Sequence, residues 1–282
     1  MPEDSRVELV SVAGETVHRR GDLAARFPIF SLTKPVIAAA LLRVGAVDLE
    51  VERLLNHTSG LFDYGRLAEY HAAVAAHPSE PWSDRELLER ARARGSVDGW
   101  QYSNTGYLLL RRRLEDYGGL ASLVHELGFE NAIVAEEIVD LVAAVPARSR
   151  ALGDGEREVG GLYHPRWVGH RSLVTTAREL LRFWAHPPAE FTDVRRLVPI
   201  GFEAPGYAQP AYGLGVMADR GATFGLEIGH GGGGPGYSHG VFTVPARAAV
   251  AIVLTADEAF DAQARARRLL HAALGQPRST RE

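Results

Sequence analysis

The feature that most limits how this chain can fold is where its strand-like segments fall. They lie at the two ends, with helical patterns between them. Val7–Val12 and Thr16–Arg19 flank Ala13-Gly14-Glu15 and read as a hairpin. Tyr212–Met217, Thr223–Ile228, Ser238–Val244 and Ala248–Leu254 are again strand-like, and an amphipathic helix over Ala259–Leu274 closes the pattern. Between the ends, helices are expected over Ser31–Val44, Leu49–Leu55, Asn104–Asp116, Leu120–Leu127 and Asn131–Ala144. Two more are announced by capping boxes, at Ser83-Asp84-Arg85-Glu86 (running to Arg94) and Thr176-Ala177-Arg178-Glu179 (running to Ala185). This order predicts an α+β fold: an antiparallel β-sheet built from both chain ends, flanked by helices, with an inserted mainly helical lobe. With 282 residues the chain can bury a large core as a single domain, its sheet lobe spanning roughly 1–30 and 206–282 and its helical lobe roughly 31–205.

One residue inside the first helical pattern stands out. Of 31 basic residues only Lys34 is a lysine; the rest are arginines. Arginine stays protonated at any accessible pH, whereas a desolvated lysine can shed its proton and act as a base. Ser31 precedes it by three residues, a spacing that puts two side chains on one helix face, about 5–6 Å apart at Cβ. Pro35 is tolerated only near a helix start, which places Ser31 where free N–H groups favour an anion. A hydroxyl beside an amine able to become neutral has the chemistry of an activated serine nucleophile.

Two further segments carry matching chemistry. Tyr102-Ser103-Asn104 precedes a helical pattern, and a Tyr hydroxyl near Lys34 can pass a proton if its pKa is lowered by that cation. Asn104, one of only three asparagines, could hold Lys34 or a substrate carbonyl with its amide. A turn with a helix cap accounts for the same tripeptide. Gly229-His230-Gly231-Gly232-Gly233-Gly234-Pro235-Gly236 is too glycine-rich for an ordinary hairpin and reads as a loop joining two strands. Its Gly233 N–H, set opposite the N–H of Ser31, would make an oxyanion hole, with His230 bonded to substrate or to the Lys–Tyr network.

Ser31-x-x-Lys34, Tyr102-x-Asn104 and His230-x-Gly232, in that order, resemble the three motifs of the serine β-lactamase and penicillin-binding-protein superfamily. The detail is most similar to its class C β-lactamase-like branch, which includes carboxylesterases and D-amino-acid peptidases. Asn56-His57-Thr58-Ser59-Gly60-Leu61 resembles that branch's HTSGL loop, and Ser172–Ala177 resembles its GLxSTA helix start. The resemblance implies Ser31 as nucleophile, Lys34 as general base and Tyr102 as proton relay. It implies Asn104, His230, Gly232 and Gly233 as the substrate-binding and oxyanion positions, an acyl-enzyme cycle, and no metal or organic cofactor. Three departures qualify it. His230 stands where relatives carry Lys or Arg for a substrate carboxylate, the segment between Leu42 and Val51 is short, and only six residues precede the first strand. These favour ester or peptide chemistry over β-lactams and a more open pocket.

Composition removes other classes. A net charge of -4 argues against nucleic acid, and no apolar run approaches the roughly 18 residues that span a bilayer. The absence of cysteine excludes disulfides and thiolate chemistry, and with no signal peptide visible a cytoplasmic location is expected. Gly236-Tyr237-Ser238-His239-Gly240 matches a nucleophile elbow by letters, but a strand pattern follows where that elbow needs a helix. Gly229-x-Gly231-x-x-Gly234 likewise lacks the helix of a dinucleotide site. His57 reads as a residue tying its loop to backbone. His164 and His170, six apart, do not share a helical face and suggest no metal site. The expected activity is a serine hydrolase acting on a small ester, amide or peptide. A β-lactamase or acyltransferase of the same fold and a non-turnover acyl-binding sensor are the alternatives.

Overall fold

The computed structural model describes residues 5–200 and 206–275, so the outermost parts of both expected lobes, 1–4, 201–205 and 276–282, lie outside the described residues. The chain opens with the expected hairpin, β1 (Arg6–Val12) and β2 (Glu15–Arg20). A short β3 (Arg26–Pro28) then runs through a 3-10 turn at Phe30–Leu32 into α1 (Thr33–Arg43). Pro35 sits in the first turn of α1, where its missing N–H costs nothing. Every residue of α1 from Thr33 to Leu41 is buried, so this is a central helix covered on all sides. Five helices follow: α2 (Leu49–Leu55), α3 (Ala68–Ala76), α4 (Asp84–Arg92), α5 (Asn104–Arg113) and α6 (Gly119–Glu126), of which α5 and α6 pack against α1.

The expected helix over Asn131–Ala144 is not formed. Ile133–Ala135 is instead a strand, β4, and only a 3-10 turn at Ile138–Leu141 follows. The cause is tertiary pairing: β4 aligns antiparallel with β7 (Ser172–Thr176), and the Asn131 N–H donates to the Glu179 carboxylate at 2.8 Å. Between them lies a small ladder, β5 (Arg148–Ser149) with β6 (Arg157–Glu158). β7 is the centre of a three-stranded sheet, flanked by β3 and β4, and runs into α7 (Ala177–Ala185). The first capping box is complete, with Ser83 and Glu86 each satisfying the other's backbone N–H. The second is half formed: Thr176 caps Glu179 N, while the Glu179 carboxylate accepts from Thr175 Oγ1 at 2.6 Å.

The chain ends make one eight-stranded sheet, in the order β2-β1-β13-β12-β11-β10-β9-β8, every neighbouring pair antiparallel. Its later strands are β8 (Val198–Pro199), β9 (Pro210–Tyr212), β10 (Met217–Asp219), β11 (Glu227–Gly234), β12 (Tyr237–Val244) and β13 (Ala249–Thr255). The expected strand Tyr212–Met217 is thus a tight hairpin, turned at Gly215 with φ of 79°. The glycine-rich segment expected as a loop is the body of β11, paired with β12 from Ile228 to Gly234, and the turn falls only at Pro235-Gly236. Side chains alternate across the sheet. Phe242, Val244 and Val253 pack under α8 (Ala262–Gly275), while Val241, Ile252 and Leu254 join the core shared with α1 and α7. Among the described residues no helix is long and apolar enough to cross a membrane.

Gly240 shows how closely α8 lies on the sheet: a Cβ there would fall 2.6 Å from Ala262 O and 2.7 Å from Gln263 Cα. Backbone cannot swing aside as a side chain can. Gly240→Ala is expected to destabilise the fold by about 1–3 kcal/mol, the usual cost of overpacking, read as a lowered melting temperature.

Candidate active site

The serine is presented by a strained turn. Phe30 has φ of 45°, a left-handed conformation that a bulky side chain rarely adopts. Three bonds from β7 hold it there: Ile29 N to Leu173 O at 2.8 Å, Phe30 N to Ser172 Oγ at 2.8 Å, and Leu173 N to Thr33 Oγ1 at 3.0 Å. The GLxSTA-like segment therefore clamps the Ser31 turn. Ser31 lies in the 3-10 turn just before α1, not in its first α-helical turn, and Lys34 lies one turn on.

Lys34 is fully buried, and its Nζ has three polar neighbours: Asn104 Oδ1 at 2.8 Å, Ser31 Oγ at 2.9 Å and His170 Nε2 at 3.3 Å. Burial pushes its pKa well below the usual lysine range, with the Asp63 carboxyl pulling weakly the other way. The Tyr102 hydroxyl stands 3.0 Å from Ser31 Oγ on the other side. Its ring lies 4.9 Å below Lys34 Nζ, but burial raises the phenol pKa. The expected lowering by a neighbouring cation does not occur, so Tyr102 is a neutral donor.

Asn104 opens α5, and its amide is fully oriented. Nδ2 donates to Asp63 Oδ2 at 3.3 Å and the backbone N–H to Asp63 Oδ1 at 2.9 Å, which turns Oδ1 toward Lys34. Of the two uses expected for this amide, the structure shows the grip on Lys34. His57 plays its expected part: Nδ1 accepts from Ser103 N at 3.1 Å and ties the HTSGL-like loop to the start of α5.

The glycines of β11 answer to two close neighbours. A Cβ at Gly232 would strike the Ile29 carbonyl, and one at Gly234 the Phe30 ring, both in the nucleophile turn. On the opposite face a Cβ at Gly231 would strike Gln263 of α8. Gly233 is free of such crowding and lines the space beside Ser31. His230, expected to bond substrate or the Lys–Tyr network, has both ring nitrogens beside protein partners. It is buried, its Nδ1 bonds to Gly231 O, and its Nε2 sits 2.8 Å from Tyr212 Oη. Burial and Lys34 push its pKa down to about 3, so it is neutral, in keeping with the sequence expectation.

Two cavities meet at Ser31 and Gly233. The larger, about 530 Å³, is walled by Phe30, Tyr64, Tyr70, Val74, Tyr163 and Val168. The smaller, about 340 Å³, runs past Tyr102, Met217 and Gln263. Glu258 borders both, its oxygens accepting from Ser149 Oγ, Arg150 N and Gly236 N. Three participants escaped the sequence reading. Asp63 lies two residues beyond the HTSGL-like loop, and His170 two before the β7 segment; proximity to a motif was the one available signal. Tyr212 had none.

The eight-stranded sheet, the central helix and this side-chain cluster define a serine hydrolase of β-lactamase-like fold. The chain belongs to the beta-lactamase family, whose model matches residues 43–274. That match begins after Ser31 and Lys34. A search of curated protein sequences gave no match. Among solved structures, a D-stereospecific amidohydrolase from Streptomyces sp. superposes with TM-score 0.81 at 20% identity, covering 96% of this chain and 95% of its own. The D-amino acid amidase from Ochrobactrum anthropi SV3, complexed with D-phenylalanine, gives TM-score 0.73 at 20% identity, with 98% and 95% covered. An octameric penicillin-binding protein homologue from Pyrococcus abyssi gives 0.75 at 17%, with 96% and 73% covered. At these identities the likeness establishes the fold.

The burial of Lys34 has a measurable cost. The unfolded chain keeps this lysine protonated up to its ordinary pKa of 10.5, whereas the folded chain holds it neutral well below that. Folding therefore releases a proton, and stability rises with pH through that window. Lys34→Met is expected to raise stability near pH 7 by about 1–4 kcal/mol, the range seen when buried charges give way to apolar side chains. The gain should shrink toward pH 10.5 in thermal unfolding at stepped pH.

Proposed function

We propose that this protein hydrolyses a small amide or ester through a Ser31 acyl-enzyme. The observation that carries the reading is the convergence on Ser31 Oγ of a buried amine at 2.9 Å and a neutral phenol at 3.0 Å. Ser31 Oγ attacks the carbonyl carbon as its proton passes to Lys34 Nζ. The developing oxyanion is held by the N–H groups of Ser31 and Gly233. The C–N or C–O bond then breaks, and the departing atom takes a proton from Tyr102 Oη, which recovers one from the Lys34 ammonium. Burial keeps the Tyr102 phenol protonated, so it has a proton to give at this step. Water, activated by the same amine, frees the acyl group.

The cavities support an acyl group with an aromatic or large apolar side chain in the larger one. The D-phenylalanine complex of the amidase relative is in keeping with that choice. A substrate carboxylate finds no cation at His230, which is neutral and has both nitrogens engaged. On the β11 side amides and esters without a free carboxylate are therefore favoured, Arg150 being the arginine that lines the larger cavity, and Gly232 serves by letting β11 approach the nucleophile turn.

Intact-protein mass with p-nitrophenyl acetate, D-phenylalanine amide and a fluorescent penicillin, together with nitrophenol release from the ester and ammonia release from the amide, tests this. Wild type and Ser238→Ala are expected to turn over the ester and amide, whereas Ser31→Ala should lose about 10³-fold or more. An adduct that never turns over would point to a sensor, and activity that survives in Ser31→Ala would overturn the nucleophile. In the same assay Tyr102→Phe is expected to slow amide hydrolysis more than hydrolysis of the nitrophenyl ester, since nitrophenolate leaves without a proton.

A further inference from the structure

A neutral primary amine has two N–H bonds and one lone pair, and Lys34 Nζ has three polar neighbours for them. Asn104 Oδ1 is an acceptor, because the other end of that amide is committed to Asp63. One N–H therefore goes to Asn104. The remaining N–H and the lone pair are divided between Ser31 Oγ and His170 Nε2. If Nε2 carries the ring proton, it takes the lone pair, and Lys34 offers Ser31 only a donor. If Nε2 is bare, it accepts the second N–H, and the lone pair is left for the Ser31 proton.

We propose that His170 is a positioning residue, held as the Nδ1–H tautomer, whose Nε2 accepts from Lys34 and so aims the amine's lone pair at Ser31. This rests on the reading of Lys34 as the base. The site is built to hold the ring in place. His170 is 2% exposed. On one side of it Gly169 N donates to Tyr64 Oη at 2.8 Å; on the other Arg171 adopts φ of 68°, a strained conformation for a side chain of that size. Arg171 is anchored in turn on Glu136 at 2.9 Å. Nδ1 has no hydrogen-bond partner, a deficit common to both tautomers, so the choice between them falls to the Nε2 side. Once Lys34 has taken the Ser31 proton, its ammonium has three N–H groups for the same three neighbours, so the arrangement serves both states of the base.

The other titratable groups facing Lys34 are Asp63, acting through Asn104, and His57, His230, Tyr102 and Tyr107. Burial keeps the histidines neutral and the phenols protonated and raises the Asp63 carboxyl, so the acid limb of acylation follows Lys34 together with Asp63.

The test compares His170→Phe, His170→Asn and His170→Gln by the rate of the first acylation by p-nitrophenyl acetate across pH. It adds the 15N shifts of the His170 ring in wild type and in Ser31→Ala. A Gln amide oxygen can reach the place of Nε2, whereas Asn is too short. His170→Phe and His170→Asn are expected to lose about 10–100-fold, part of the 10²–10⁴ a positioned general base supplies. Their acid limbs should move to lower pH, because the ammonium loses more from a missing acceptor than the neutral amine does. His170→Gln should recover most of the rate and the limb. Equal losses in all three variants with an unmoved limb would mean a packing role and overturn the proposal, as would an unimpaired His170→Phe. An Nε2–H tautomer in the 15N spectrum would overturn it as well. That spectrum decides the point even if wild type fails to acylate, the outcome that would overturn the Ser31 reading instead.

Discussion

The structure depends on one desolvated amine. A lysine in water is a cation and no base near neutrality, so it must be taken out of water to become one. Here that is done by placing Lys34 on the helix that every other layer covers. α1 is buried from Thr33 to Leu41, so the amine has no route to solvent along its own helix. What stabilises it is a short list of hydrogen-bond partners, each fixed by something else: Asn104 by Asp63, Ser31 by the strapped turn, His170 by its kinked segment. The desolvated amine and the hydrophobic core are thus the same problem solved once. Stability is lost at Lys34 and regained in the apolar residues around it.

The second constraint is closeness. A nucleophile turn, a sheet edge and a helix all converge near Ser31, and the chain meets this with glycine where backbones touch and with strain where a side chain must be aimed. Gly231, Gly232 and Gly234 let β11 run between α8 and the Ser31 turn. Phe30, His57 and Arg171 all have positive φ, and all three border the site; the other two such non-glycine residues among those described, Ala13 and Ala248, sit at hairpin turns. Left-handed backbone at bulky residues persists only where the surroundings over-determine it. The three bonds from β7 to the segment Ile29–Thr33 are such surroundings. The three-stranded sheet, whose β3 meets the main one where His239 Nε2 lies 3.0 Å from Pro28 O, thus helps to hold the serine turn.

Much of this was legible in the sequence, for local reasons. The hairpin at Gly14, the Ser83 box and the long helix after Ser31 are set by turn chemistry, caps and hydrophobic period, which act within a few residues. Lys34 announced itself by being the only lysine, and the lack of a permanent cation at His230 is read from the residue type alone. The failures were all long-range. Ile133–Ala135 carries residues acceptable to a helix, and only its pairing with β7 makes it a strand. The glycines of β11 look like a loop because glycine has little strand preference. They form a strand because β12 pairs with them along their whole length, and at Gly231, Gly232 and Gly234 no larger side chain fits.

The sequence by itself determined the order of the elements, the motif triad Ser31–Lys34, Tyr102–Asn104 and His230–Gly232, and the kind of chemistry such a triad performs. Those rest on residue identity and short spacing, which survive without coordinates. Only the tertiary structure decided the protonation states and the partners. Tyr102 is a donor because burial raises its phenol, His230 is spent on Tyr212 and Gly231, and Asp63 and His170 complete the shell around Lys34. Each of these depends on desolvation or on a contact between residues far apart in the chain, and neither quantity is written in any local stretch of sequence.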